Sequence, residues 1–163
     1  MTFDANTFKD STKAQWNSVA DRWNAWGPLL DTWLGPATET LLDMCGITTG
    51  SEVMHVAGGS GQDAMQSARR VGPTGRVVST DFSEELTRIA AQNFEASGLA
   101  HISATTMDGE AIDVNGDPFD VVLSRVGLIF FPNQLGSVRS QMADLNSRTA
   151  ARFSQSGPFG WRA

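Results

Sequence analysis

The stretch from Val53 to Ala64, VMHVAGGSGQDA, constrains the fold more than any other part of this chain. Apolar residues run directly into Gly58, Gly59 and Gly61, and a helix-forming segment, QDAMQSARR, follows. A buried strand, a glycine turn and a helix in that order open a βαβ unit. Glycine there lets the backbone come close to a ligand, and the first N–H groups of the helix have no intrahelical acceptor. His55 sits inside the strand, where neighbouring residues are apolar.

The same alternation continues downstream. GRVVSTD predicts a second strand and SEELTRIAAQNFEASG a helix, with Ser83 as N-cap and Gly98 just past its end. HISATTMD predicts a third strand and PFDVVLSRVGLIFF a fourth, apolar enough for burial on both faces. The fold class expected is α/β, a Rossmann-like parallel sheet with helices on both faces. Before it, residues from about Ser11 to Met44 predict helices broken at Gly27-Pro28 and again at Gly35-Pro36. Trp16, Val19, Ala20 and Trp23 share one helical face. Trp16, Trp23, Trp26 and Trp33 can line a substrate mouth or dock these helices onto the core, and docking is the favoured reading. The chain thus divides into a helical cap, 1–46, a core, 47–135, and an atypical tail, 136–163, helical at first and then loose.

Three features fall at the carboxyl ends of predicted strands, where ligands collect in parallel sheets. Gly58, Gly59 and Gly61 follow the first strand. Asp81 closes the second and can accept both hydroxyl hydrogens of a ribose. Asp108-Gly109 closes the third, where a carboxylate can accept from an adenine amino group. Each alone has an ordinary structural explanation, but three in order point to adenosine. GSGQDA also satisfies the dinucleotide pattern G-x-G-x-x-G/A, so the glycines leave NAD open.

Composition narrows the partners. A formal charge of −6 argues against a nucleic-acid backbone, and no apolar run approaches the roughly 20 residues of a membrane span. Cys45 is the single cysteine, so neither an intramolecular disulfide nor a cysteine metal cluster is expected. The N-terminus has no signal-peptide core, and a cytoplasmic location is expected.

From about Trp16 to Pro132 the chain resembles the class I S-adenosylmethionine-dependent methyltransferases, in particular the ubiquinone/menaquinone-biosynthesis C-methyltransferase group. VMHVAGGSGQ is similar to the first motif of that family, VVSTDFS to the second, MDGE to the third and FDVVLSRVGLIFFPN to the fourth. The resemblance implies S-adenosylmethionine as cofactor and a small-molecule methyl acceptor. It places Ala57, Gly58, Gly59 and Gly61 around the methionine moiety. Asp81 would hold the ribose, with Phe82 against the adenine. Asp108, flanked by Met107 and Gly109, would take the adenine amino group. Ser124 and Arg125 would lie near the methionine end, although Arg125 can equally be a structural ion-pair partner. No catalytic base is assigned, because orientation and exclusion of water can supply much of the acceleration.

Two departures stand out. His55 replaces the family's usual acid, and a neutral imidazole supplies no negative charge, so weaker cofactor binding is expected. After FFPN the leucine-x-proline-glycine-glycine turn and the last three strands of the family are missing, which suggests a truncated or frame-displaced product. Such a chain would expose the edge of its fourth strand, through which it can pair as a homodimer. It can also be a cofactor-binding remnant without turnover.

Overall fold

The structure, a computed structural model, describes residues 3–114, 118–143 and 145. Its centre is strand β1 (Glu52–Val56), flanked in parallel by β2 (Arg76–Asp81) on one side and β4 (Val121–Leu123) on the other; β3 (Ile102–Thr106) lies outside β2, giving the order β3–β2–β1–β4. His55 pairs in register with Ser79 of β2 and Leu123 of β4. The chain winds outward from β1 to β3 and then returns to the far side of β1. That reversal opens a crevice at the strands' carboxyl ends, between β1 and β4.

Side-chain alternation explains the layers. Val53 of β1 and Val77 of β2 face a core shared with Ala64, Ala68 and Val71 of α3 (Gln62–Val71) and with Ala90 and Phe94 of α4 (Glu84–Ser97). Met54, Val56 and Val78 face the opposite side, with Phe119, Ile112 and Phe131. The helix ends follow the sequence. Ser83 Oγ accepts from the Leu86 N–H at 3.1 Å, and Gly98 adopts the left-handed conformation at φ +70°. Gly61 is fixed by two constraints at once: φ is +91°, and a Cβ there would lie 2.7 Å from Phe94 Cζ. Gly61→Ala is therefore expected to cost about 2–3 kcal/mol through backbone strain and overpacking, read as a lower urea midpoint. An unchanged midpoint would remove this account of the turn.

The N-terminal helices differ from expectation in two ways. Helix α1 (Ala5–Ala25) starts earlier, because Asp4 accepts from the Thr7 N–H at 2.9 Å and caps it. The break at Gly27-Pro28 is present, with Trp26 between α1 and α2 (Gly27–Met44), but the second one is not: α2 runs through Gly35-Pro36. Thr38 and Leu42, beyond the proline, are buried and anchor α2, which offsets the hydrogen bond that Pro36 cannot donate. Leu42 belongs to the same core as Val53, so α2 is built into the sheet domain rather than resting on it.

The fourth strand is also shorter than the apolar run suggests. It stops at Leu123, and Val126 at φ +70° leads into a 3-10 turn over Gly127–Phe130. The apolar residues after Ser124 build a wall at the end of the sheet instead of extending it. Helix α5 (Gln134–Ala143) follows, and Leu145 then makes a parallel bridge with Phe119. That bridge lies two residues before β4, which itself stays at the edge of the sheet among the described residues. The remainder of the expected tail, including the helix read to Arg152, lies outside the described residues.

Candidate functional site

A cavity of about 470 Å³ lies over the carboxyl ends of β1, β2 and β3, within the range of small-ligand sites. Ala57, Gly59, Asp81, Phe82, Met107, Asp108 and Gly109 of the expected set are on its wall. Gly58 borders a smaller recess beside it, whose wall also includes Trp23, Leu30, Ala57, Gly59, Asp63 and Arg125. Gly61 and Ser124 are on neither wall. Gly61 packs against α4, and Ser124 Oγ is buried beneath the turn, without a hydrogen-bond partner among the described residues.

The loop after β1 is held open by its neighbours. The Gly58 N–H donates to Thr80 O at 2.9 Å, and the Gly59 N–H donates to Asp81 Oδ2 at 2.9 Å. The second oxygen of Asp81 accepts from the Ser83 N–H at 2.9 Å. Burial pushes the Asp81 carboxyl above the usual carboxylate range, opposed by the N–H donors of Ser83, Gly59 and Phe82. Ala57, at φ +57°, and Val126, at φ +70°, are the two non-glycine residues with positive φ among those described, and both line the cavity. Strained backbone of this kind persists where the surrounding structure fixes it, and it concentrates at ligand sites.

The roof comes from α1 and α2. Trp16, Trp23, Trp26 and Trp33 all line the cavity, so the mouth-lining reading describes the four better than docking alone. Trp16 and Trp23 do both, since they also pack on Ala20, Leu86 and Ile89. Trp16 stacks edge-on against Trp23 at 5.3 Å and against Phe130 at 5.5 Å, which ties α1 to the 3-10 turn. Trp26 and Trp33 keep 62% and 74% of their surface in solvent, more than a docking face leaves free.

Lys9 and Lys13 were not singled out by the sequence. Lys9 Nζ sits 2.6 Å from Asp108 Oδ2 and 2.5 Å from Glu110 Oε2, while Lys13 pairs with Glu84 and lies 5.2 Å from the centre of the Phe82 ring. They precede Trp16 by seven and three residues on the same helical stripe, and a helix start at Ser11 leaves Lys9 off it.

His55 is not on either wall. Its Nε2 is 2.8 Å from Ser67 Oγ of α3, and burial lowers its pKa to about 4, so the imidazole is neutral. His101, one residue before β3, is 2.7 Å from the Ala68 carbonyl. Arg125, read as either near the methionine end or structural, is on the cavity wall and in an ion pair at once. It lines both cavities and pairs with Asp63 through Nε and, at 2.7 Å, through Nη2. No group of three or more metal-ligating side chains occurs among the described residues, and none of their helices is long and apolar enough to cross a membrane.

This arrangement of sheet, loop and acids is that of a methyltransferase domain. Residues 53–146, more than half of the chain, match the family described as "Methyltransferase domain", and the chain belongs to that family. Among individual relatives it is 33% identical over 88 residues to a ubiquinone/menaquinone biosynthesis C-methyltransferase from Hydrogenovibrio crunogenus, covering 53% of this chain and 35% of the relative. It is 32% identical over 123 residues to nocamycin O-methyltransferase from Saccharothrix syringae, covering 76% of this chain and 43% of that one. The chain thus spans less than half the length of either. In fold it is similar to a Haemonchus contortus phosphoethanolamine N-methyltransferase solved with phosphoethanolamine and S-adenosylhomocysteine, with a TM-score of 0.68, 17% identity, and coverage of 87% of this chain and 30% of that one.

Proposed function

We propose that this domain binds S-adenosylmethionine in the 470 Å³ cavity and transfers its methyl group to a small apolar acceptor. The observation that carries this reading is the convergence of Gly59, Asp81, Phe82 and Asp108 on one wall beneath a roof of tryptophans. The residues suit the cofactor: a buried carboxylate for ribose hydroxyls, an aromatic face for adenine and a glycine loop for close approach. When bound, the cofactor supplies an electrophilic methyl on a sulfonium. The chain itself binds, orients and excludes water, with Trp16, Trp23 and Phe130 closing the apolar wall around the acceptor. No side chain is assigned as base or nucleophile.

Titration with S-adenosylmethionine, S-adenosylhomocysteine and NAD tests the cofactor. Binding of NAD in preference to the other two would overturn it. A methyl-transfer assay on phenolic, quinol-like and amine acceptors tests turnover, and binding without transfer would identify a non-catalytic cofactor-binding protein.

Lys9 supplies a second test. Asp108 has one oxygen on Lys9 and the other on the Glu110 N–H at 2.9 Å, so Lys9 draws on the carboxylate that an adenine amino group would use. Removing that competitor in Lys9→Met is expected to tighten S-adenosylhomocysteine binding about fivefold, as partly exposed ion pairs contribute about 1 kcal/mol. Weaker binding in this variant would show that Lys9 supports the ligand instead of competing with it. Pairing of a second copy along β4 remains part of this reading, checked by sedimentation of the protein across a concentration series.

A further inference from the structure

The roof of the main cavity reaches over the glycine loop. A Cβ added to Gly59 would lie 3.3 Å from Trp23 Nε1. Trp16 meets Trp23 at an interplanar angle of 83° and Phe130 at 87°, so two of these rings stand at right angles to the third, like the walls of a box. All three line the cavity, and Trp26 and Trp33 join them from α2. Ring faces are electron-rich and attract a cation. The charges nearby act in the same sense. Lys9, Lys13 and Arg125 are each neutralised by a carboxylate, whereas Asp81 has backbone N–H donors and no cationic partner among the described residues.

The same wall is poor in groups that could take a proton from an acceptor. Among the described residues it holds no histidine or cysteine, and its two lysines are paired with carboxylates. Asp81 and Asp108 are engaged by ribose and adenine under the S-adenosylmethionine reading, on which this inference rests. An acceptor with no proton to lose suits such a site. We infer that the acceptor is a tertiary amine, and that Trp16, Trp23 and Phe130 recognise its quaternary ammonium product through their ring faces. The nitrogen lone pair forms the new N–C bond, and the C–S bond breaks with its electron pair left on sulfur. The positive charge passes from sulfonium to ammonium, and no proton moves. The rings thus face one cation before transfer and one after it. With a phenol the charge would leave as a proton, and the rings would face a neutral product.

The full chain saturated with S-adenosylhomocysteine, whose sulfur is uncharged, isolates the acceptor side. Phenyltrimethylammonium and tert-butylbenzene share a shape and differ in charge. Quenching of tryptophan fluorescence is expected to show the cation binding about tenfold tighter than the hydrocarbon. Trp16→Leu keeps an apolar side chain without a ring face, and should cut that preference to about threefold or less, while Trp16→Phe should keep most of it. Circular dichroism checks that both variants are folded. With S-adenosylmethionine, the chain should convert N,N-dimethylaniline to phenyltrimethylammonium roughly tenfold faster than it methylates phenol. Equal affinity for the two probes, binding of neither, an equal loss of both in Trp16→Leu, or faster methylation of phenol overturns the inference and leaves the cofactor reading standing. Failure of S-adenosylhomocysteine to bind overturns the cofactor reading, and this inference with it.

Discussion

Asp81→Ala is expected to lower the affinity for S-adenosylmethionine about a hundredfold. If Asp81 holds both ribose hydroxyls, the substitution removes two hydrogen bonds to a charged acceptor. At roughly 1.5 kcal/mol each, they amount to about 3 kcal/mol. The same carboxylate also accepts from the N–H groups of Gly59 and Ser83, so part of the loss will come through the loop. Asp81→Asn retains one acceptor oxygen and should fall between wild type and alanine. Calorimetric titration, with circular dichroism to confirm folding, measures this. A folded Asp81→Ala chain that binds within about threefold of wild type would exclude the ribose role.

The second large effect is on stability and pH. His55 titrates at about 4 in the folded protein because burial disfavours its charged form, against about 6.5 in an unfolded chain. Between those values the unfolded chain binds more protons, so stability rises with pH. Its contribution is fully present above about pH 6.5 and is lost as pH falls toward 4, amounting to roughly 3 kcal/mol over the window. Asp81, shifted upward by burial, acts in the opposite sense at acid pH. The informative quantity is therefore the difference between wild type and His55→Asn. Urea midpoints from pH 7 to pH 4.5 should fall more steeply for wild type, and parallel profiles would sink the account.

The sequence disclosed those parts of the fold governed by local rules. The cap at Ser83, the stop at Gly98 and the glycine turn after β1 are each set within a few residues, and the structure has them. What escaped depends on distant partners. Pro36 reads as a stop until Thr38 and Leu42 are seen to be buried. The run from Val126 to Phe131 has strand-like residues, yet it turns because Phe130 and Phe131 find a cavity wall to complete. Of the site, the acids at the strand ends were legible from spacing. Lys9 was not, since its partners Asp108 and Glu110 lie about a hundred residues away. Asp63 was also passed over, because its position gains meaning only with Arg125 beside it.

One consequence follows for anyone who dissects this chain. The segment that matches the family begins at residue 53, whereas Lys9, Trp16, Trp23, Leu30 and Trp33 of the cavity wall all precede it. An excised fragment cut at the family boundary would retain the glycine loop and both acids but present them to bulk water as an uncovered shelf. The same reasoning places a bulky N-terminal fusion only a few residues from Lys9, at the threshold of the cavity. Affinity measurements are best made with that end unencumbered.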